Sequence, residues 1–175
     1  MSEVDSESRP MVILTGMSGA GRSTTANVLE DLGWYVIDNL PPQMLGQLDE
    51  LLSDVRRRAQ PDVPPLAAVV DVRSRGWFVE LSSEVRRLAG RGVRPTLIFL
   101  DATDEALVRR FESVRRPHPL QGEGRLLDGI VREREMLVGL RSDADMIIDT
   151  SGLNVHALTA KITSIFAQPT AAQIR

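Results

Sequence analysis

The stretch with the most specific chemistry is Gly16-Met17-Ser18-Gly19-Ala20-Gly21-Arg22-Ser23-Thr24. It reads G-x-x-x-x-G-R-S, with an apolar run (MVILT, residues 11–15) before it and a helical pattern after it, the setting of a phosphate-binding loop. Glycines at 16, 19 and 21 let backbone N–H groups converge on a phosphate without Cβ collisions. A helix starting near Ser23 adds its partial positive charge. The Ser23 hydroxyl is placed to ligand a Mg²⁺ bridging β- and γ-phosphates, with Thr24 beside it. Arg22 stands where the pattern has Lys; its forked guanidinium suits phosphate binding and leaves fast phosphoryl transfer open. The plain alternative is a glycine turn with no ligand.

Four further places carry candidates. Asp71 ends an apolar run (LAAVV) and suits the Walker B role of organising the magnesium, with an ordinary turn aspartate as the alternative. Asp38-Asn39 closes another run and either orients an acceptor hydroxyl or water, or forms an Asx turn before Pro41-Pro42. Arg115 and Arg116 follow a helix that also bears Arg109 and Arg110. They precede a Pro- and Gly-bearing segment, 117–124, so they read either as an arginine finger or lid, or as a solvated face. His118, between two prolines, reads as a loop side chain without a partner and receives no catalytic role. Asp101 reads as structural. Arg56–Arg58 and Arg86-Arg87 read as solvated faces.

The elements that must position these residues follow from apolar spacing. Strands are expected at 11–15, 34–38, 66–72, 96–100 and 146–150. Helices are expected at 23–32 (closed by Gly33), from Pro41-Pro42 onward, and at 77–89, 105–114, about 126–140 and 155–166. Met44, Leu45, Leu48, Leu51, Leu52 and Val55 form the expected buried stripe of the second helix, and Asp104 the expected cap of the fourth. Alternating strands and helices imply a three-layer α/β domain of the P-loop NTPase type with a mainly parallel five-stranded sheet. Ligands of such sheets bind beyond the carboxyl ends of the strands, where the candidates above fall.

Composition narrows the classes. With 175 residues, 42% hydrophobic and a formal charge of −3, the chain has the make-up of one soluble globular domain. The expected organisation is a polar tail at 1–10, a nucleotide-binding domain at 11–167, and a tail at 168–175 truncated before a C-terminal domain. No cysteine is present, which excludes a disulfide scaffold, thiol catalysis and Cys-ligated zinc. No apolar run approaches the ~18–20 residues of a membrane span. The acidic, polar start does not read as a signal peptide, so a cytoplasmic location is expected. Among the 21 basic residues, only Lys161 is a lysine.

Taken in order, GMSGAGRST, LEDLGWYVIDNLPPQML, VVDVRSR, FLDATDEALVRRFESVRRPHPL and LRSDADMIIDTSGLNVHAL resemble the RapZ/YvcJ family of P-loop nucleotide-binding proteins, from about residue 12 to residue 158. DNLPP and RRPHPL carry this resemblance more specifically than the glycine loop. It implies ATP and GTP binding with slow hydrolysis and, in some members, an RNA-binding adapter role that steers a ribonuclease in amino-sugar regulation. By matching position it implies an ATP site at Gly16 to Ser23 and a GTP segment at Asp71-Val72-Arg73-Ser74. Nothing here resembles the N/T-K-x-D element of guanine-specific GTPases, and the residues themselves favour the magnesium role for Asp71. Family members continue into a basic second domain, where the resemblance places most RNA and amino-sugar-phosphate binding.

Three functions follow. The first is a regulatory domain binding ATP or GTP with Mg²⁺ and hydrolysing it weakly, with Ser23 and Asp71 as metal residues and Arg22, Arg115 or Arg116 stabilising charge. The second is a small-molecule or nucleoside kinase with Asp38 as base. The third is a non-catalytic sensor of a nucleotide or nucleotide-sugar. RNA binding through this domain alone ranks last, given the net charge of −3 and the absence of clustered aromatics. A homo-oligomer is compatible with the sequence.

Overall fold

The computed structural model describes residues 11–57, 64–72, 75–91, 95–114, 117–122 and 124–166. The strands are β1 (Met11–Gly16), β2 (Tyr35–Ile37), β3 (Leu66–Val69), β4 (Thr96–Asp101) and β5 (Met146–Asp149). The helices are α1 (Arg22–Asp31), α2 (Leu45–Arg57), α3 (Arg75–Gly90), α4 (Asp104–Val114), α5 (Leu126–Asp143) and α6 (Val155–Phe166). All strand pairings are parallel, in the order β2-β3-β1-β4-β5. The expected α/β architecture is what forms, with every pairing parallel.

β1 is central and has no exposed residue, and β3 is buried along its whole length. This continuous burial is why those segments are near-continuous apolar runs and do not alternate. α1 and α6 pack together, and α3 packs against both α2 and α5. α1 ends in a Schellman motif. The Trp34 N–H donates to Leu29 O (2.9 Å) and the Gly33 N–H to Glu30 O (3.0 Å), with Gly33 at φ +89°.

Two local expectations are corrected. A 3₁₀ turn, Pro42–Met44, precedes α2, so the helix takes its phase from Leu45. Leu45 and Leu48 face the core, while Met44 (46% exposed) and Leu51 (62% exposed) do not belong to the stripe; the side chains of Leu52 and Val55 lie outside the described residues. The cap of α4 is Thr103, whose hydroxyl accepts the Ala106 N–H at 3.2 Å. Asp104 lies inside the first turn and pairs with Arg134 at 2.8 Å.

Candidate functional site

The carboxyl ends of β1, β3, β4 and β5 bring the candidate residues to one edge. Gly16 is where β1 must turn sharply: a Cβ there would stand 2.2 Å from the Leu100 carbonyl oxygen. Beside it, the Met17 N–H donates to that same oxygen at 3.0 Å. Gly21, at φ +102°, caps α1 without any side-chain hydrogen bond, and no acidic residue occupies the first turn. Among the described residues, the N–H groups of Gly19, Gly21, Arg22, Ser23 and Thr24 have no acceptor. An uncapped helix N-terminus with this many open donors is an anion cradle. Ser23 is exposed at its rim.

Arg22 and Asp71 meet directly: Nη1 lies 3.0 Å from Oδ1, with the side chains 17% and 18% exposed. The loop cation and the carboxylate beyond β3 thus form a direct ion pair. Ser23 and Asp71 together fit a hard, oxygen-preferring cation such as Mg²⁺. Val72 is buried. Arg73, Ser74, Arg115 and Arg116 lie outside the described residues.

Asp38 is exposed at the carboxyl end of the edge strand β2 and has no hydrogen-bond or ion-pair partner among the described residues. The alternative Asx turn does not form there. Leu40 instead donates its N–H to Val69 O (2.9 Å), and Asn39 adopts φ 55°.

Sequence reasoning missed a buried chain of three side chains. Glu133 on α5 accepts the Ser18 N–H at 2.7 Å and the Ser18 hydroxyl at 2.6 Å. His118 Nε2 lies 3.2 Å from Glu133 Oε1, and its Nδ1 accepts the Leu120 N–H at 3.0 Å. The Leu120 bond assigns the Nε2–H tautomer, so His118 donates to the carboxylate. Ser18, Glu133 and His118 are 7%, 4% and 2% exposed. The expectation of a partnerless loop histidine is therefore wrong: its partner lies on a helix the flanking prolines gave no reason to consider. A signal for Glu133 did exist, because it falls on the buried stripe of α5 with Ile130, Leu137 and Leu140. A carboxylate on an apolar stripe needs a buried donor.

The neighbouring helix residue faces the other way. Arg134 bonds Asp101 and Asp104 (both 2.9 Å) and Ala102 O (2.6 Å), and Arg141 Nε bonds Asp101 at 2.9 Å. Burial opposes the charge on Arg134, but its bonds to Asp101 and Asp104 outweigh burial and raise its basicity. Asp101 is structural, as expected, and it anchors α5 to the end of β4.

Arg110, also missed as a structural element, ties the phosphate loop to the segment after β5. It donates to Gly19 O and Thr150 Oγ1, both at 3.0 Å, and to the Thr150 carbonyl. The Thr150 hydroxyl in turn donates to Ala20 O at 2.8 Å. Burial and then the nearby Arg109 lower the basicity of Arg110, while Asp149 counteracts them. Beside this tie lies an open cavity of about 340 Å³ between Arg109 and Arg110 and residues 151–154. Arg110, which lines it, also bonds the loop at Gly19 O.

No described helix is long and apolar enough to cross a membrane. Solved structures share the fold. Shikimate kinase from Acinetobacter baumannii in complex with shikimate matches with TM-score 0.60 at 16% identity, covering 97% of each chain. A gluconokinase from Sinorhizobium meliloti 1021 matches with TM-score 0.55 at 14% identity, over 95% of this chain and 98% of its own. Among relatives, a nucleotide-binding protein of Streptomyces coelicolor is 57% identical over 157 residues, 90% of this chain and 51% of that protein. One from Thermobifida fusca is 54% identical over 165 residues, 94% of this chain and 55% of that protein. The chain thus spans about half the length of the curated relatives it matches. The RapZ-like N-terminal domain model matches residues 10–170, and the chain belongs to that family.

Proposed function

We propose that this chain is a nucleotide-binding regulatory domain that takes ATP or GTP with Mg²⁺ at residues 16–24 and hydrolyses it slowly. The observation that carries this reading is the cradle of five open N–H groups at an uncapped helix start, with Arg22 beside it. The phosphates lie against those donors, and the base extends toward Arg109, Arg110 and residues 151–154. Ser23 and Asp71 would hold Mg²⁺, which when bound neutralises phosphate oxygens. In this reading Arg22 turns its guanidinium from Asp71 toward the phosphates, so that binding exchanges one ion pair for another. Arg115 or Arg116 is the further cation assigned to the phosphates in this reading, and Arg73 and Ser74 continue the implied GTP segment. Such a domain works in the cytoplasm, beside a second domain that binds RNA in amino-sugar control.

The relatives called nucleotide-binding proteins support the ligand class. Slow hydrolysis rests on Arg22 standing where the loop pattern has Lys. Calorimetric titration of MgATP, MgGTP and a nucleotide-sugar into wild type and Arg22→Ala tests the reading. Binding that weakens by at least about tenfold in the variant, some 1.4 kcal/mol, is expected. Absence of binding by all three ligands would remove it.

Asp38 favours a second reading, a small-molecule kinase, because it is an exposed, unpaired carboxylate at the end of β2. ADP formation that depends on an added hydroxyl acceptor, and is lost in Asp38→Asn, would select it. A tightly held nucleotide or nucleotide-sugar with no turnover would instead select the sensor reading.

A further inference from the structure

We infer that Glu133 is a positioning residue of the phosphate loop and that, through His118, it makes the conformation of residues 117–122 depend on whether the loop holds a phosphate. The inference rests on the nucleotide reading above and adds to it an output surface.

Both oxygens of Glu133 are engaged: Oε1 with the Ser18 N–H (2.7 Å) and His118 Nε2 (3.2 Å), Oε2 with the Ser18 hydroxyl (2.6 Å). All three residues are buried, so water does not replace a lost partner at low cost. On the far side, one histidine organises a turn. Its Nδ1 accepts the Leu120 N–H (3.0 Å), its own N–H donates to Gln121 Oε1 (3.1 Å), and its carbonyl accepts the Gln121 N–H (3.0 Å).

Two close approaches reinforce this path. The rings of Phe111 and His118 lie 5.2 Å apart, and Phe111 Cε2 stands 3.1 Å from where a Cβ on Gly19 would be. On α5, a Cβ at Gly129 would lie 3.0 Å from His118 Nδ1 and 2.9 Å from the Gln121 Cα, so only glycine lets the turn seat there. Arg134 and Arg141 meanwhile hold α5 on Asp101. The phosphate loop, α5 and the 117–122 turn are therefore mechanically joined. A phosphate drawing in the open N–H groups at 19 and 21–24 displaces Ser18 only by pulling on Glu133 or breaking from it. Packed, hydrogen-bonded joints of this kind switch between discrete arrangements rather than bending smoothly. Pro117 and Pro119 are exposed, which puts the result of that switch on the surface.

Spatial continuity alone does not establish coupling, so the test measures it directly. Amide hydrogen exchange over residues 16–24 and 117–122 is followed with and without saturating MgATP. The proteins are wild type, Ser18→Ala, Glu133→Ala and Glu133→Gln, each titrated calorimetrically beforehand. In wild type, MgATP is expected to slow exchange at 117–122 by about threefold or more, a local change in opening. At MgATP concentrations that saturate each variant by its own titration, Glu133→Ala is expected to lose most of that response and Ser18→Ala, which keeps the N–H bond at position 18 but not the hydroxyl bond, to lose part of it. Glu133→Gln retains it, because the amide oxygen still accepts the Ser18 N–H and the Ser18 hydroxyl can turn to accept the amide N–H. An unchanged response in Ser18→Ala, or no response in a wild type that binds MgATP, overturns the inference and leaves nucleotide binding intact. If wild type binds no nucleotide, the nucleotide reading fails and the exchange data without ligand decide the joint. Ser18→Ala must then speed exchange at 117–122, and an unchanged rate overturns it. Should Glu133→Ala not fold, Ser18→Ala decides by the same criteria.

Discussion

Two carboxylates flank the phosphate loop, and they are held in opposite ways. Asp71, on the β3 side, meets a guanidinium at the rim, where both side chains keep nearly a fifth of their exposure. Glu133, on the α5 side, is 4% exposed and meets a backbone N–H, a hydroxyl and an imidazole N–H. A part-exposed ion pair gives up its partner at modest cost, because water and salt replace much of what is lost. A buried carboxylate bonded by three donors does not. The first arrangement suits a contact that must open when phosphate and metal arrive, and the second a contact that must persist. One loop thus has an exchangeable side and a fixed side.

The largest effect that would break this contrast is on stability. Glu133→Ala strands three buried donors and is expected to cost about 3 kcal/mol or more, against about 1 kcal/mol for Glu133→Gln. Asp71→Ala, at a part-exposed ion pair, should cost less than Glu133→Ala. Urea unfolding of the three variants checks the order, and equal losses for Asp71→Ala and Glu133→Ala would erase the distinction. Next comes exchangeability. Asp71→Asn frees Arg22, so without Mg²⁺ it should tighten ATP binding roughly five- to tenfold, up to about 1.4 kcal/mol. With Mg²⁺ the same variant should lose the gain that the metal gives wild type. Calorimetry with and without a chelator reads both, and weaker binding in the chelator would show that the pair does not compete.

The smallest effect concerns Asp149, whose hydrogen bonds from the Ser151 hydroxyl and N–H hold its carboxyl below the usual range. A folded-state value below the unfolded one stabilises the protein fully above the unfolded pKa and loses that contribution as pH falls through the folded one. Asp149→Asn should therefore be slightly less stable than wild type near pH 7, and the gap should narrow as pH falls below the ordinary aspartate value of about 3.9. Melting curves across that range check it. A gap that persists at low pH would assign the difference to packing and not to charge.

The exchangeable side of the loop was the legible one. Its glycines, Arg22 and Ser23 are contiguous, and Asp71 ends an apolar run, so local spacing and strand-end position were enough. The strands were legible for the same reason, since burial on both faces writes itself as unbroken apolar residues. Phase errors arose where one short element ran into another. The 3₁₀ turn of Pro42–Met44 winds more tightly than α2, so Met44 fell out of register with Leu45. The fixed side stayed hidden because Ser18 and Glu133 are 115 residues apart and share no local pattern. Only the charge at 133 on an apolar helix face hinted at a buried partner, and nothing in sequence named which one. Arg110 enters the sequence reading only as a residue of the helix before Arg115 and Arg116, with no role of its own. Its carbonyl acceptors at Gly19, Thr150 and Leu153 come from backbone, which no side-chain pattern announces.

The arginine at position 22 also sets how the loop can be modified and labelled. Lysine acetylation cannot act on a guanidinium, so a switch of that kind cannot reach the cation beside the phosphate site. Among side-chain amines the molecule offers only Lys161, exposed on α6 with Nζ 3.4 Å from the Asp149 carbonyl oxygen. An amine-reactive fluorophore at Lys161 would therefore sit just past the end of β5 while leaving every loop residue chemically untouched.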